Sequence, residues 1–337
     1  MQKTLDTKLA NIHAHPYAAK DFILADAKDA DMGGGIRAPG WAWLASGQER
    51  LRNLAEYREQ MREVLRQGLV DILLMSASSN ELLNFEERLF DESPVTPAVR
   101  ANDATDIHLA RGSSYATAAS RPFRSAALEH IQFGRQAGFQ VELAPGCNLG
   151  LYSVTFNNDL ERDLQTMEAY REFRLEAEKK RLWHFLEVFD PNVPGAVAPE
   201  LVGHFVNDQI ARLLAGVPKS SRPLFLKIAY HGPKCMEELA GYDPHLVPGI
   251  LGGASGTTHD AFHLLAEARK YGARAALFGR KINNAEHQLT FIQYLRRVAD
   301  DAVGPKEAVV AYHGDLLKLG IKPRRELEKD LELSQPV

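Results

Sequence analysis

Eight short apolar runs, separated by turns and by stretches with helical periodicity, constrain the fold of this chain more than any other feature. They are Phe22–Lys28, Val70–Met75, Pro97–Asn102, Leu149–Phe156, Trp183–Phe189, Pro223–Tyr230, Val247–Gly253 and Ala273–Phe278. Short apolar runs bounded by turn residues read as strands. Between them, Leu51, Leu54, Tyr57, Met61 and Leu65 recur at spacings of three and four, as on one face of a helix, and Gly68 is placed to end it. Leu160–Lys180 puts Leu164, Met167, Tyr170 and Phe173 on one side. Glu200–Leu214, Asp260–Tyr271 and a final Ala285–Asp300 are further predicted helices. Such alternation builds a parallel sheet covered by helices, and eight units is the count of a (β/α)8 TIM barrel. An open doubly wound sheet shares the alternation. The count of eight favours the barrel, as does the lack of a Gly-x-Gly-x-x-Gly after the first run.

The 337 residues read as a single domain, with the barrel over 20–315, an N-terminal arm over 1–19 and a charged C-terminal tail over 316–337. The tail is expected to be loosely held from residue 322. An apolar fraction of 45% is enough for a large core, and a net charge of −4 without a basic run argues against nucleic-acid or anionic-membrane partners. Two cysteines build no disulfide framework, and no 18-residue apolar window occurs, so a cytoplasmic protein is expected. Trp41-Ala-Trp43 either faces a partner subunit or packs on the barrel, and a homo-oligomer is expected. Met32–Gly40, with three consecutive glycines, reads as a loop that closes over a ligand.

The sixth run poses the chemical question. Leu224, Leu226 and Ile228 alternate with Phe225, Lys227 and Ala229, so Lys227 points with Phe225 into the interior that the helices do not cover. Two readings stand for it. The lysine snorkels to water at the strand end, or it stays partly buried, and the neutral amine attacks a carbonyl. Other polar residues near strand ends are Asp26, Lys28, Arg100, Asn102, Ser153, Thr155 and Glu187. Glu187 shares the parity of Phe185 and Phe189, and Asp26 that of Lys28. Three or four ionisable groups are therefore expected to meet in one barrel mouth, with Lys28 depressing the pKa of Lys227 and a carboxylate raising it. Tyr152, Tyr230 and Tyr312 are expected to pack rather than react.

After the seventh and eighth runs come Gly252-Gly253-Ala-Ser-Gly and Gly279-Arg280. Glycines there let backbone N–H groups approach an anion, and barrels commonly hold phosphate at these two loops.

The segments Phe-Leu-Glu-Val-Phe (185–189), Phe-Leu-Lys-Ile-Ala (225–229), Leu-Gly-Gly-Ala-Ser (251–255) and Leu-Phe-Gly-Arg-Lys (277–281) resemble the class I, Schiff-base aldolases of the deoxyribose-phosphate, fructose-bisphosphate and tagatose-bisphosphate superfamily. The tagatose-bisphosphate branch is most similar, because it carries a strand-five glutamate before the strand-six lysine. The resemblance implies a lyase of carbohydrate metabolism acting on a phosphorylated sugar, without metal or other cofactor. It implies that Lys227 forms the Schiff base, that Glu187 is the acid/base and that Asp26 is the strand-one aspartate. Lys28 stands where the family has an arginine, and Gly253, Ser255, Gly279 and Arg280 would hold a substrate phosphate. Leu151 stands where that branch has a lysine, which leaves a second phosphate open.

Two other functions fit parts of the sequence. His13-Ala-His15 resembles the opening of a metal-dependent hydrolase barrel, with both imidazoles toward a metal. A barrel of this kind could also bind a sugar phosphate without reacting with it.

Overall fold

The computed structural model describes residues 1–43, 49–108, 110–135, 146–253 and 256–334. Eight parallel strands close into a barrel: β1 (Ile23–Lys28), β2 (Ile72–Met75), β3 (Thr96–Arg100), β4 (Leu149–Thr155), β5 (Trp183–Phe189), β6 (Leu226–Ile228), β7 (Gly249–Leu251) and β8 (Ala275–Phe278). Each pairs with its neighbour in sequence, and β8 returns to β1 with Ile23 opposite Ala275. The predicted (β/α)8 barrel is the observed fold.

Two cores follow from the period-two alternation of these strands. Leu24, Leu73, Val99, Val154, Leu186, Leu226, Ile250 and Ala276 face the surrounding helices. Ile23, Ala25, Ile72, Leu74, Ala98, Leu149, Leu151, Phe185, Phe225, Ala275 and Leu277 fill the barrel, where Phe185 and Phe225 stack with ring centroids 4.5 Å apart. The N-terminal arm contains the helix Thr4–Ala14, whose Leu5, Leu9 and Ile12 are buried in this inner core. Because they join Ile23, Leu149 and Val247 at or just before the starts of strands, the helix closes the bottom of the barrel. Each such side chain contributes about 2 kcal/mol by burial.

Local signals place the helices where periodicity expects them. Asn53 and Glu56 form a reciprocal capping box at the start of Leu54–Gln67, and Gly68 ends that helix at φ +67°. Asp159 caps Leu160–Lys180 by accepting from the Arg162 amide. Ala285–Asp300 is realised as Gln288–Ala299, but it is not the final helix, since Pro305–Lys318 follows it. The tail beyond is docked as far as residue 334 rather than loose: buried Asp330 accepts from the Thr258 amide at 2.8 Å and from His313 Nε2 at 2.9 Å. Met32–Gly40 is partly helical, with a short helix Ala30–Gly34 and a 3-10 turn Gly35–Arg37. Trp41–Trp43 pairs with Glu49–Leu51 in a small antiparallel ribbon. Among the described residues no helix is long and apolar enough to cross a membrane.

His184 on β5 faces outward, where Tyr170 Oη lies 2.8 Å from its Nε2. Burial pushes its pKa down to about 3, with Arg174 adding to the effect. Its unfolded value is near 6.5, so the neutral ring stabilises the fold fully above that pH, and this contribution falls as pH drops from 6.5 toward 3. We expect His184→Phe to flatten the loss of stability between pH 6.5 and 4.5 by up to about 1.4 kcal/mol per pH unit. Denaturant midpoints of both proteins across that range measure it.

Candidate active site

β5 and β6 bring the two central residues together through their register. Lys227 is opposite Glu187, and Lys227 Nζ lies 2.6 Å from Glu187 Oε1. Both side chains point inward, above the stacked Phe185 and Phe225, at the C-terminal ends of the strands. Lys227 is 6% exposed and Glu187 1%, so a snorkelling lysine is not what the fold builds. The partner across the strand holds the ammonium in the barrel.

The rest of the network comes from β3, β4 and the end of β1. Arg100 donates from Nη2 to Glu187 Oε2 at 3.2 Å, from Nη1 to Ser153 Oγ at 2.8 Å and from Nε to Asp29 Oδ2 at 2.5 Å. Ser153 Oγ donates to Glu187 Oε2 at 2.6 Å. The two oxygens of Glu187 are thereby divided. Oε2 is saturated by Arg100 and Ser153, and Oε1 faces Lys227 alone. Burial by itself would raise the Glu187 pKa, but Lys227 and Arg100, with the hydrogen bonds from Lys227 and Ser153, hold it below the ordinary carboxylate range. Burial would likewise lower the Arg100 pKa, and Asp29 and Glu187 reverse that. The Glu187 carboxylate thus lies between Lys227 and Arg100, and Asp29 is the second carboxyl partner of Arg100.

Asp26 and Lys28 are not in the mouth. They have the parity of Leu24, and pair in register with the helix-facing Leu73, Met75 and Phe278. Both are fully buried between barrel wall and helices, with Lys28 Nζ 3.1 Å from Asp26 Oδ2 and donating to Asn283 Oδ1. Burial raises the Asp26 pKa and lowers that of Lys28, each opposed by the other. Lys28 therefore does not adjoin Lys227 and does not tune it. The β1 carboxylate that reaches the mouth is Asp29, with the inward parity of Ala25 and Ala27. We expect Asp26→Asn to cost about 3 kcal/mol of stability, because it strands a buried ammonium. Asp26→Leu combined with Lys28→Met should cost less, and chemistry at Lys227 should persist in both. Thermal melts beside an assay of the Lys227 amine check this.

The phosphate-turn residues are placed as follows. Gly253 follows β7 at φ +60°, a conformation that favours glycine, and a side chain there would meet open space. Ser255 lies outside the described residues. Gly279 follows β8, and a Cβ there would come 2.6 Å from the Ala27 carbonyl oxygen, so strand packing also requires this glycine. Arg280 begins the short helix Arg280–Asn283 and is exposed. Tyr152 stacks on Phe173 and Tyr312 packs among the helices, both outside the mouth.

His13 and His15 are on and just after the helix that closes the barrel bottom, at the end opposite Lys227. His13 Nδ1 lies 3.2 Å from His245 Nδ1, and His15 is exposed. Among the described residues no group of three or more His, Cys, Asp or Glu side chains is placed to hold a metal. The hydrolase reading needs its two histidines at the C-terminal end of a first strand, and the structure puts them on and just after a helix that precedes β1.

The signal for Asp29 and Arg100 was present as strand parity alone. Arg100 is inward with Ala98, and Asp29 with Ala27. No local pattern marks the link between them, which spans the mouth from β1 to β3.

Solved structures share this architecture. An archaeal fructose-1,6-bisphosphate aldolase, with its catalytic lysine covalently bound to the carbinolamine intermediate, is 15% identical over 88% of this chain and 100% of its own, with a TM-score of 0.59. The fructose-bisphosphate aldolase from Slackia heliotrinireducens is 11% identical over 92% and 91%, with a TM-score of 0.64. A protein from Corynebacterium glutamicum is 17% identical over 89% and 98%, with a TM-score of 0.58. The chain has the fold of these three proteins, two of which are fructose-bisphosphate aldolases. No protein-family model and no curated protein sequence matches it.

Proposed function

We propose that this protein is a class I aldolase, a lyase that makes or breaks a carbon–carbon bond of a phosphorylated ketose through a Schiff base on Lys227. The observation that carries the proposal is the contact of Lys227 Nζ with Glu187 Oε1 at 2.6 Å, inside the mouth of a barrel. The archaeal structure with a lysine-bound carbinolamine shares the fold and supports the reading.

On this reading Lys227 and Glu187 carry the steps up to carbon–carbon cleavage. Glu187 Oε1 accepts a proton from the Lys227 ammonium, and the freed amine adds to the ketone carbon to give a carbinolamine. The same carboxyl returns the proton to the carbinolamine hydroxyl, which leaves as water and yields the iminium. For cleavage, Glu187 takes the proton of the hydroxyl two carbons from the iminium carbon. The carbon–carbon bond breaks, its electron pair moves into the enamine, and an aldehyde departs. Protonation of the enamine carbon and hydrolysis of the imine restore Lys227. Arg100 and Ser153 occupy Oε2 throughout, so one oxygen does the proton work and the carboxylate cannot rotate away.

The turns after β7 and β8 are where the phosphoryl group belongs on this reading. The tagatose-bisphosphate branch is less well supported, because the inward Leu151 leaves β4 without a cation. Borohydride reduction in the presence of single phosphorylated ketoses, followed by peptide mapping, tests the proposal. A mass increment on the Lys227 peptide is expected. Label on another lysine, or none across mono- and bisphosphorylated ketoses, would sink it, and a protein that bound sugar phosphate without trapping would be a binding barrel only.

A further inference from the structure

His259 and His263 are four residues apart on the helix Thr258–Lys270, so their imidazoles share one face, with ring centroids 5.7 Å apart. His259 is buried and His263 half-buried. His259 Nδ1 lies 2.7 Å from the Leu331 carbonyl oxygen of the docked tail. A carbonyl only accepts, so Nδ1 carries the proton, and the neutral ring is left with a bare lone pair on Nε2. The tail fixes this acceptor from both sides. Asp330 accepts from the Thr258 amide at 2.8 Å, and the Glu332 carbonyl oxygen accepts from Thr257 Oγ1 at 2.8 Å. Neither His259 Nε2 nor the His263 ring has a hydrogen-bond partner among the described residues. Burial lowers the His259 pKa, the bond to Leu331 opposes it, His263 and Lys306 lower it further, and Asp260 raises it. The ring is therefore neutral at pH 7, as a metal ligand must be.

We propose that His259, through Nε2, and His263 chelate a divalent transition-metal cation of the Zn²⁺ class, with water in the remaining positions. Histidines four apart on one helix face are a recurrent chelate, and a ligating imidazole usually has its other N–H held by a carbonyl or carboxylate, as Leu331 holds His259. The His263 ring, free of hydrogen bonds, can turn toward the same point. Imidazole nitrogen suits Zn²⁺, Ni²⁺ and Cu²⁺, whereas Mg²⁺ and Ca²⁺ take oxygen ligands. A metal on Nε2 makes the Nδ1–H a stronger donor, so it tightens the bond to Leu331 and favours the docked tail. The site is independent of the aldolase reading, because no part of it belongs to the Lys227–Glu187 network.

Calorimetric titration of the chelator-stripped full chain with Zn²⁺ at pH 7 is the direct test. His263→Ala and His259→Asn should each weaken binding at least about tenfold. The asparagine amide nitrogen takes roughly the place of Nδ1 and can still donate to the Leu331 carbonyl, so this variant removes the ligand while keeping the tail docked. Its metal-free melting curve should match wild type, and Zn²⁺ should raise the melting temperature of wild type but not of His259→Asn. His13→Ala should bind Zn²⁺ as wild type does, which separates this pair from the His13–His245 contact at the barrel bottom. No Zn²⁺ uptake by wild type, or unchanged affinity in His263→Ala or in a normally melting His259→Asn, would overturn the proposal. Loss of binding in His13→Ala, or displacement of Zn²⁺ by equal Mg²⁺, would do so too.

Discussion

Lys227→Met should fold, bind sugar phosphate and take up no borohydride label, with turnover falling below detection. The substitution is expected to be tolerated because Glu187 keeps two partners without the lysine: Arg100 at 3.2 Å and Ser153 at 2.6 Å. No buried carboxylate is stranded, and the methionine carries an unbranched apolar chain of similar length into a space floored by Phe225 and Phe185. Loss of label with an unchanged melting temperature would assign the chemistry to this amine. Label persisting in Lys227→Met would locate the nucleophile elsewhere and end the proposed mechanism. Lys281, whose pKa is near 8, is the competing amine such an experiment would reveal.

Glu187→Gln is expected to have the second largest effect, and it acts on two quantities at once. Turnover should fall by about 10²–10⁴-fold, the range for removing a general acid–base. Stability should also fall, by about 3 kcal/mol, because a 6% exposed lysine loses its counter-ion. Arg100 suffers less, since Asp29 remains 2.5 Å from its Nε. The double variant Lys227→Met/Glu187→Gln should regain much of the lost stability while staying inactive, and the cycle of four proteins isolates the pair. If Glu187→Gln melted as wild type and turned over normally, the carboxylate would be neither counter-ion nor proton carrier. The sign of the pH dependence follows from the lowered pKa of Glu187. Its stabilising contribution is complete above the ordinary carboxylate value, near 4.3, and is lost as pH falls through the lower folded value. Glu187→Gln should therefore lose less stability than wild type on acidification below pH 4.

The amino-acid sequence determined the barrel and the lysine–glutamate pair. Eight apolar runs admit few closed arrangements, and on β5 and β6 the strand period places Glu187 and Lys227 on the same face as Phe185 and Phe225. Adjacent parallel strands then bring them opposite one another. Tertiary structure decided which charges of β1 join them. Ile23 and Leu24 are both fully buried, one toward the barrel interior and the other toward the helices, so hydrophobicity carries no mark of inside or outside. Ala25 and Ala27 belong to the inner core, and that parity sends Asp29 to Arg100 and Asp26 with Lys28 toward the helices. The docked tail and the helix under the barrel were hidden for a related reason. Their positions depend on contacts between residues tens of positions apart, such as the Thr4 amide with the Pro94 carbonyl and the Thr258 amide with Asp330, and no local periodicity records them.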